Sequence, residues 1–201
     1  MSTVIVSENL KEKIKDRYII ADTDFLDRLS KEEDLLSQIK ELATNSPLVV
    51  HQYVRFEFIR DSHLPETIKN REAFLNSPFF LPLPSRTKPL QTEYYNLVEK
   101  MQNNALTISR IFAHKGVCKP SFVDLMLSGT CFLLTEKALI ATGNRKDYPA
   151  LIFDTLGTIN YDNKNLTHSY TFWLLSPSVE KFNKCYEDLS KICKKTNSSP
   201  S

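Results

Sequence analysis

The stretch YIIADTDFLDRL, residues 18–29, sets a short apolar run directly against two carboxylates, Asp22 and Asp24, and then returns to apolar-periodic sequence. Tyr18 to Ala21 is too short for a helix and, bounded by charge, suits a buried strand. Asp22 closes that strand. Downstream from Lys31, Leu35, Leu36, Ile39 and Leu42 recur at helical spacing, TNSP (44–47) ends the helix, and LVVH (48–51) is a second strand. The chain therefore opens as β-α-β, the unit of a parallel sheet.

Working outward, QYVRFEFIRD (52–61) reads as a helix with Val54, Phe58 and Ile59 near one face and Glu57 beside them. Residues Ser62 to Pro89 carry Pro65, Pro78, Pro82, Pro84 and Pro89 around one helical segment, ETIKNREAFLNS (66–77), and read as a long surface excursion because prolines so spaced interrupt regular structure. A long helix follows over 93–116, stopped by Gly116. In KPSFVDLMLSGTCFLLTE (119–136), Ser121 is an N-cap with Asp124 in a capping-box-like position ahead of an apolar helix body. ALIAT (138–142) is the next strand. LIFDTLGTINY (151–161) and HSYTFWLL (168–175) flank a DNKN turn (162–165) as a hairpin. A last amphipathic helix carries Val179, Phe182, Tyr186 and Leu189. The expected fold class is α/β, a three-layer sandwich with a mainly parallel central sheet plus a C-terminal hairpin and helix.

A chain of 201 residues is long enough to bury a three-layer core as one domain. Its 41% hydrophobic and 25% charged residues read as an ordinary globular protein, and a net charge of +2 is too small to argue for nucleic acid or membrane without a local patch. No apolar run approaches the roughly 20 residues of a membrane span, and residues 1–17 lack a signal-type apolar core, so the cytoplasm is the expected compartment. Cys118, Cys131, Cys185 and Cys193 form no CxxC pair and read as buried or idle thiols. His51, His63, His114 and His168 show no HxH or HExxH spacing, and no GxSxG, P-loop or dinucleotide fingerprint occurs among four glycines.

Ligands gather at the carboxyl ends of strands in parallel α/β sheets. Asp22 ends the first strand, Glu57 lies about a turn into the helix after the second, Asp124 begins a later helix, and Asn144 and Asp147 follow ALIAT. Acids collected on one rim repel one another, and a hard divalent cation held by oxygen ligands resolves that repulsion. Against this, Asp124 also reads as a helix-capping acid, Glu57 as a solvated helix residue and Asp147 as a turn acid. Asp154 in LIFDT repeats the look of IIADT, but β-formers continue beyond it and it reads as structural.

In these residues the chain resembles the PIN-domain family of metal-dependent nucleases, which includes toxin-antitoxin endoribonucleases. The family's opening strand ending in Asp matches IIADTDFL with Asp22, Thr23 and Asp24. Its second acid matches Glu57 in VVHQYVRFEFIRD, and its third acid and following strand match SFVDLMLSGTCFLLTEKALIATGNRKDYP with Asp124, Thr142, Asn144, Asp147 and Tyr148. The resemblance covers roughly Tyr18 to Pro149. It implies a single PIN-like domain over 18–195 (core 18–149, hairpin and helix 150–195), after an N-terminal extension (1–17) and before a disordered tail (196–201). Asn144 stands where many members carry Asp.

What the resemblance implies is hydrolysis of RNA phosphodiester bonds with Mg²⁺ or Mn²⁺. Asp22 and Asp124 would be the principal metal ligands, with Glu57 as a ligand or water-positioning acid and Asn144 or Asp147 completing the site; Asp22, Glu57, Asp124 and Asn144 would form the catalytic set, and Thr23 and Thr142 would support it. Arg55, Arg60, Lys119, Arg145 and Lys146 are candidate RNA contacts, although solvated surface charge is the ordinary reading of each. A toxin-type member would have a small antitoxin as partner, with Pro65 to Pro89 as its docking surface, and could form a homodimer. The competing expectations are a weakened or inactive PIN-fold scaffold binding RNA or protein, and a nuclease for structured DNA.

Overall fold

A computed structural model of the chain describes residues 2–60, 62–83, 91–117, 119–163 and 168–197. Its strands are β1 (Thr3–Val6), β2 (Tyr18–Ala21), β3 (Leu48–His51), β4 (Phe80–Leu83), β5 (Ala138–Thr142), β6 (Phe153–Asp162) and β7 (Ser169–Pro177). Its helices are α1 (Leu10–Ile14), α2 (Thr23–Lys31), α3 (Glu33–Leu42), α4 (Gln52–Arg60), α5 (Pro65–Leu75), α6 (Gln91–Lys115), α7 (Phe122–Leu134) and α8 (Val179–Asn197).

The strands form one mixed sheet in the order β1-β6-β7-β5-β2-β3-β4. Four of them, β5, β2, β3 and β4, are parallel. The C-terminal hairpin β6–β7 continues the same sheet by antiparallel pairing of β7 with β5, and β1 pairs antiparallel with β6. Residues 1–17, set apart above as an extension, thus supply an edge strand and the buried Leu10 and Ile14 of α1. By the right-handed rule for crossovers between parallel strands, α2 to α5, which step from β2 to β3 to β4, belong to one face, and α6 and α7, which return from β4 to β5, to the other. The result is α/β in three layers.

β2 and β5 are buried on both faces, which is why IIA and ALIAT are continuous apolar runs rather than alternating ones. α7 is apolar nearly all round because it is enclosed, and Gly129 is what lets it approach α6: a Cβ there would lie 2.4 Å from the Met101 carbonyl oxygen. Gly116, at φ +62°, ends α6 in the left-handed conformation.

Three expectations need correction. The proline-rich segment is not only a surface excursion, since Phe80–Leu83 is β4, parallel to β3 at the end of the strand order, where Pro82 is tolerated. Pro84, Pro89 and the second half of the DNKN turn, Lys164 and Asn165, lie outside the described residues. α8 runs through Asn197, into the stretch expected to be disordered; 198–201 lie outside the described residues. On its face Phe182 and Leu189 pack against the core, whereas Val179 and Tyr186 are exposed. Among the described thiols, Cys131 and Cys185 are free and buried, as the spacing implied.

Among the described residues no helix is long and apolar enough to cross a membrane.

Candidate acidic site

The sheet changes direction of winding at β2: the chain steps from β2 to β3 and β4 on one side and returns to β5 on the other. A topological switch of this kind opens a crevice at the carboxyl ends of the two central strands. Asp22 follows β2 and Thr142 ends β5, and the two are joined there.

Asp22 is the N-cap of α2: its Oδ1 accepts from the Thr23 N–H at 2.7 Å, as short acidic side chains do at helix starts. Its Oδ2 accepts from the Thr142 hydroxyl at 2.8 Å, and its own N–H donates to the Ala141 carbonyl at 3.0 Å. The residue is only 5% exposed. Thr142 Oγ1 also accepts from the Asn144 N–H at 2.9 Å, and Asn144 Nδ2 donates to Asp147 Oδ2 at 2.6 Å. On the other side of Asp22, the Thr23 hydroxyl donates to Glu57 Oε2 at 2.5 Å.

Asp124 arrives from α7. The capping box forms as its spacing implied, with Asp124 Oδ2 accepting from the Ser121 N–H at 2.8 Å and Ser121 Oγ accepting from the Asp124 N–H at 3.2 Å. Its second oxygen, Oδ1, accepts from the buried Tyr148 hydroxyl at 3.1 Å. Asp124 is therefore both a cap and a buried acid.

Electrostatics tie these groups together. The Asp22 carboxyl is pushed up to about 7, first by burial and then by Asp124, with the bonds from Thr142 and Thr23 opposing. Asp24 is raised by burial and by Asp124 and Asp27, with Arg28 opposing. Asp147 is raised by burial and by Asp124 and Asp24, with Lys146 opposing. Tyr148 is held well above its ordinary range by burial and by Asp22 and Asp124. The charges acting on Asp22 are both negative, those of Asp124 and Asp24. Asp22, Asp24 and Asp147 are thus each harder to ionise in the field of Asp124.

Of the expected residues, Asp22, Thr23, Asp124, Thr142, Asn144 and Asp147 meet on this rim. Glu57 joins through Thr23 and is not among the charges acting on Asp22. The basic residues divide. Lys146 is exposed beside Asp147, and Arg60 lines a cleft bordered by Glu57. Arg55 donates instead to Asn76 at 3.5 Å, Arg145 lies in the field of Asp154, and Lys119 is exposed with no described contact. Asp154 is structural as expected, paired with Lys181 at 2.5 Å on the surface.

Two further residues near this edge of the sheet have no site role in the sequence-based expectations. Asp24 could have been found by its place in the first turn of α2, two residues beyond the strand-end acid, with its Cβ against Gly143. His51, at the end of β3, is buried and pushed down to about 4 by burial; its Nδ1 accepts from the Tyr53 N–H at 3.3 Å, and Nε2 has no hydrogen-bond partner among the described residues. No sequence signal marks that burial.

In charge and donor type the rim suits a hard cation, since every acid supplies oxygen and each gains from a positive charge. Among the described residues no three Asp, Glu, His or Cys side chains are already placed to hold an ion together. Comparison with protein-family models, with characterised proteins and with solved structures gives no match.

Proposed function

We propose that this chain is a divalent-metal-dependent nuclease, hydrolysing phosphodiester bonds in RNA from the acidic crevice between β2, β5 and α7, on a PIN-like variant of the α/β fold. The observation that carries the reading is Asp22: a buried strand-end carboxylate at the topological switch, raised to about 7 while the charges acting on it are those of other aspartates. Carboxylates perturbed in this way cluster at functional sites, and a cation would relieve the repulsion.

Asp22 and Asp124 would be the principal ligands, with Asp24 and Asp147 beside them and Glu57 and Asn144 completing the rim. When bound, Mg²⁺ or Mn²⁺ supplies charge neutralisation, a more acidic attacking water and stabilisation of the leaving oxygen. The chain's own work is positioning. Thr142 and the Thr23 N–H each hold one oxygen of Asp22, and the Tyr148 hydroxyl holds Oδ1 of Asp124, which leaves a second lone pair on each oxygen for another partner. Because no three acids among the described residues stand as a preformed cage, binding must draw them together.

The test is a Mn²⁺ titration by calorimetry beside a single-stranded RNA cleavage assay with the wild type, Asp22→Asn and Asp124→Asn. Cleavage only with Mg²⁺ or Mn²⁺, lost in both folded variants, supports the reading. A wild type that binds no Mn²⁺ and cleaves nothing ends it. The second reading, a non-catalytic scaffold binding RNA or protein, is favoured by Asn144 and by the missing cage. Substrate choice is a separate question that competition between single-stranded RNA and flap DNA answers. An antitoxin partner remains an analogy to toxin-type family members.

A further inference from the structure

Beside the acidic crevice lies a cleft of roughly 730 Å³ between α4 and the start of α7. Its walls include Tyr53, Phe56, Glu57 and Arg60 from α4 and Ser121 and Phe122 from the other side. Two of these residues also belong to the crevice: Glu57 accepts from Thr23, next to Asp22, and Ser121 caps Asp124. The cleft and the acids are therefore continuous.

Its rings are exposed and yet held. Phe122 is 60% exposed and Phe56 is 64% exposed. The Phe122 ring meets Tyr53 edge-on at 5.1 Å, and Tyr53 stacks on the buried His51 at 5.1 Å, so a stair of rings runs from the core to the surface. The Arg60 guanidinium lies 5.8 Å from the centre of the Phe56 ring. Exposed rings on two helices flanking one cleft are unlike the i, i+3, i+4, i+7 aliphatic stripe by which an amphipathic helix docks.

We propose that this cleft is a nucleobase-stacking subsite, in which Phe122 and Phe56 hold a base of single-stranded RNA adjacent to the phosphodiester at the acids, and Arg60 faces the RNA backbone. The placement rests on the nuclease reading; the stacking does not. A ring face accepts any base, so the site contributes affinity and register with little sequence preference. Arg60 offers phosphate a cation on a mainly apolar wall whose acid, Glu57, is engaged by the Thr23 hydroxyl.

The experiment measures binding of a fluorescein-labelled RNA decamer in EDTA, where no turnover occurs, to the wild type, Phe122→Ala, Phe56→Ala, the double variant, Phe122→Trp and Phe122→Leu. Each alanine should weaken binding about tenfold, the double variant more, and tryptophan should restore it while leucine does not. An abasic decamer should bind the wild type about as weakly as the normal decamer binds the double variant. No binding by the wild type, affinities within twofold for both alanine variants, or rescue by leucine equal to that by tryptophan overturns the proposal, the last pointing to an aliphatic protein segment. Both exposed rings can be removed without opening the core, and Mn²⁺ titration of the double variant should match the wild type. Loss of RNA binding in a protein that never cleaves would sink the nuclease reading and leave the subsite standing, whereas cleavage with unchanged affinity in the variants would do the reverse.

Discussion

The segments around Asp22 and Asp154 begin from nearly the same words, IIADT and LIFDT, and end as opposite environments. Asp22 sits at the end of β2, a central parallel strand buried on both faces, with Asp124 and Asp24 as the charges around it, and its carboxyl is driven up to about 7. Asp154 sits in β6 of the antiparallel half, exposed, and its partner Lys181 from α8 pulls it below the ordinary carboxylate range. An acid that gains a cation from the chain is finished. An acid surrounded by other acids is stabilised by a cation from outside the chain, and that difference is the physical basis of the functional proposal.

The largest expected effect is on activity. Asp22→Asn should reduce Mn²⁺-dependent RNA cleavage to background while Asp154→Asn leaves it within about twofold, the size expected for a surface charge remote from the metal. Equal losses in the two variants, measured on protein with unchanged circular dichroism, would erase the comparison.

Next comes the pH dependence of stability. The folded Asp22 pKa of about 7 exceeds the unfolded value of about 3.9, so the folded state binds more protons between them and stability falls as pH rises through that window, by at most roughly 4 kcal/mol. Asp24 and Asp147 act in the same direction. His51 acts oppositely: its folded value of about 4 lies below the unfolded value of about 6.5, so stability is lost as pH falls through that range, by up to roughly 3 kcal/mol. Between about pH 4 and 6.5 the Asp22 and His51 contributions therefore largely cancel, and the wild type keeps only the fall with rising pH that Asp24 and Asp147 add. Asp22→Asn should be firmer than the wild type at pH 8 and should uncover the His51 slope, losing about 2 kcal/mol between pH 7 and 5 in urea unfolding. A variant melting far lower at every pH would make Asp22 a structural acid.

A smaller effect sharpens the same contrast. Asn144→Asp places a carboxylate where Nδ2 now donates to Asp147, so the variant should lose about 1 kcal/mol in EDTA and regain it with Mn²⁺, with tighter binding in calorimetry. Unchanged Mn²⁺ affinity would exclude position 144 from the ligand set. Smallest of all, Asp154→Asn should cost about 0.5 kcal/mol or less, and less still in high salt, because the Lys181 pair is exposed.

Much of this molecule was written locally. Capping chemistry at Ser121 and Asp124, the Gly116 stop and the apolar runs of β2, β3 and β5 are properties of a few consecutive residues, and each element formed where its residues specify. β4 escaped because its prolines obscured a strand that depends on β3 for half its definition. The two aspartates of IIADT and LIFDT could be told apart in part by the residues on their C-terminal side, since the second continues into β-formers. That Asp22 lies in the field of Asp24 and Asp124, that Asp147 lies in the field of the same two, that His51 is sealed from water, and that Phe56 and Phe122 share a cleft are facts of the sheet's winding order. Burial and charge act through space, and sequence carries distance along the chain only.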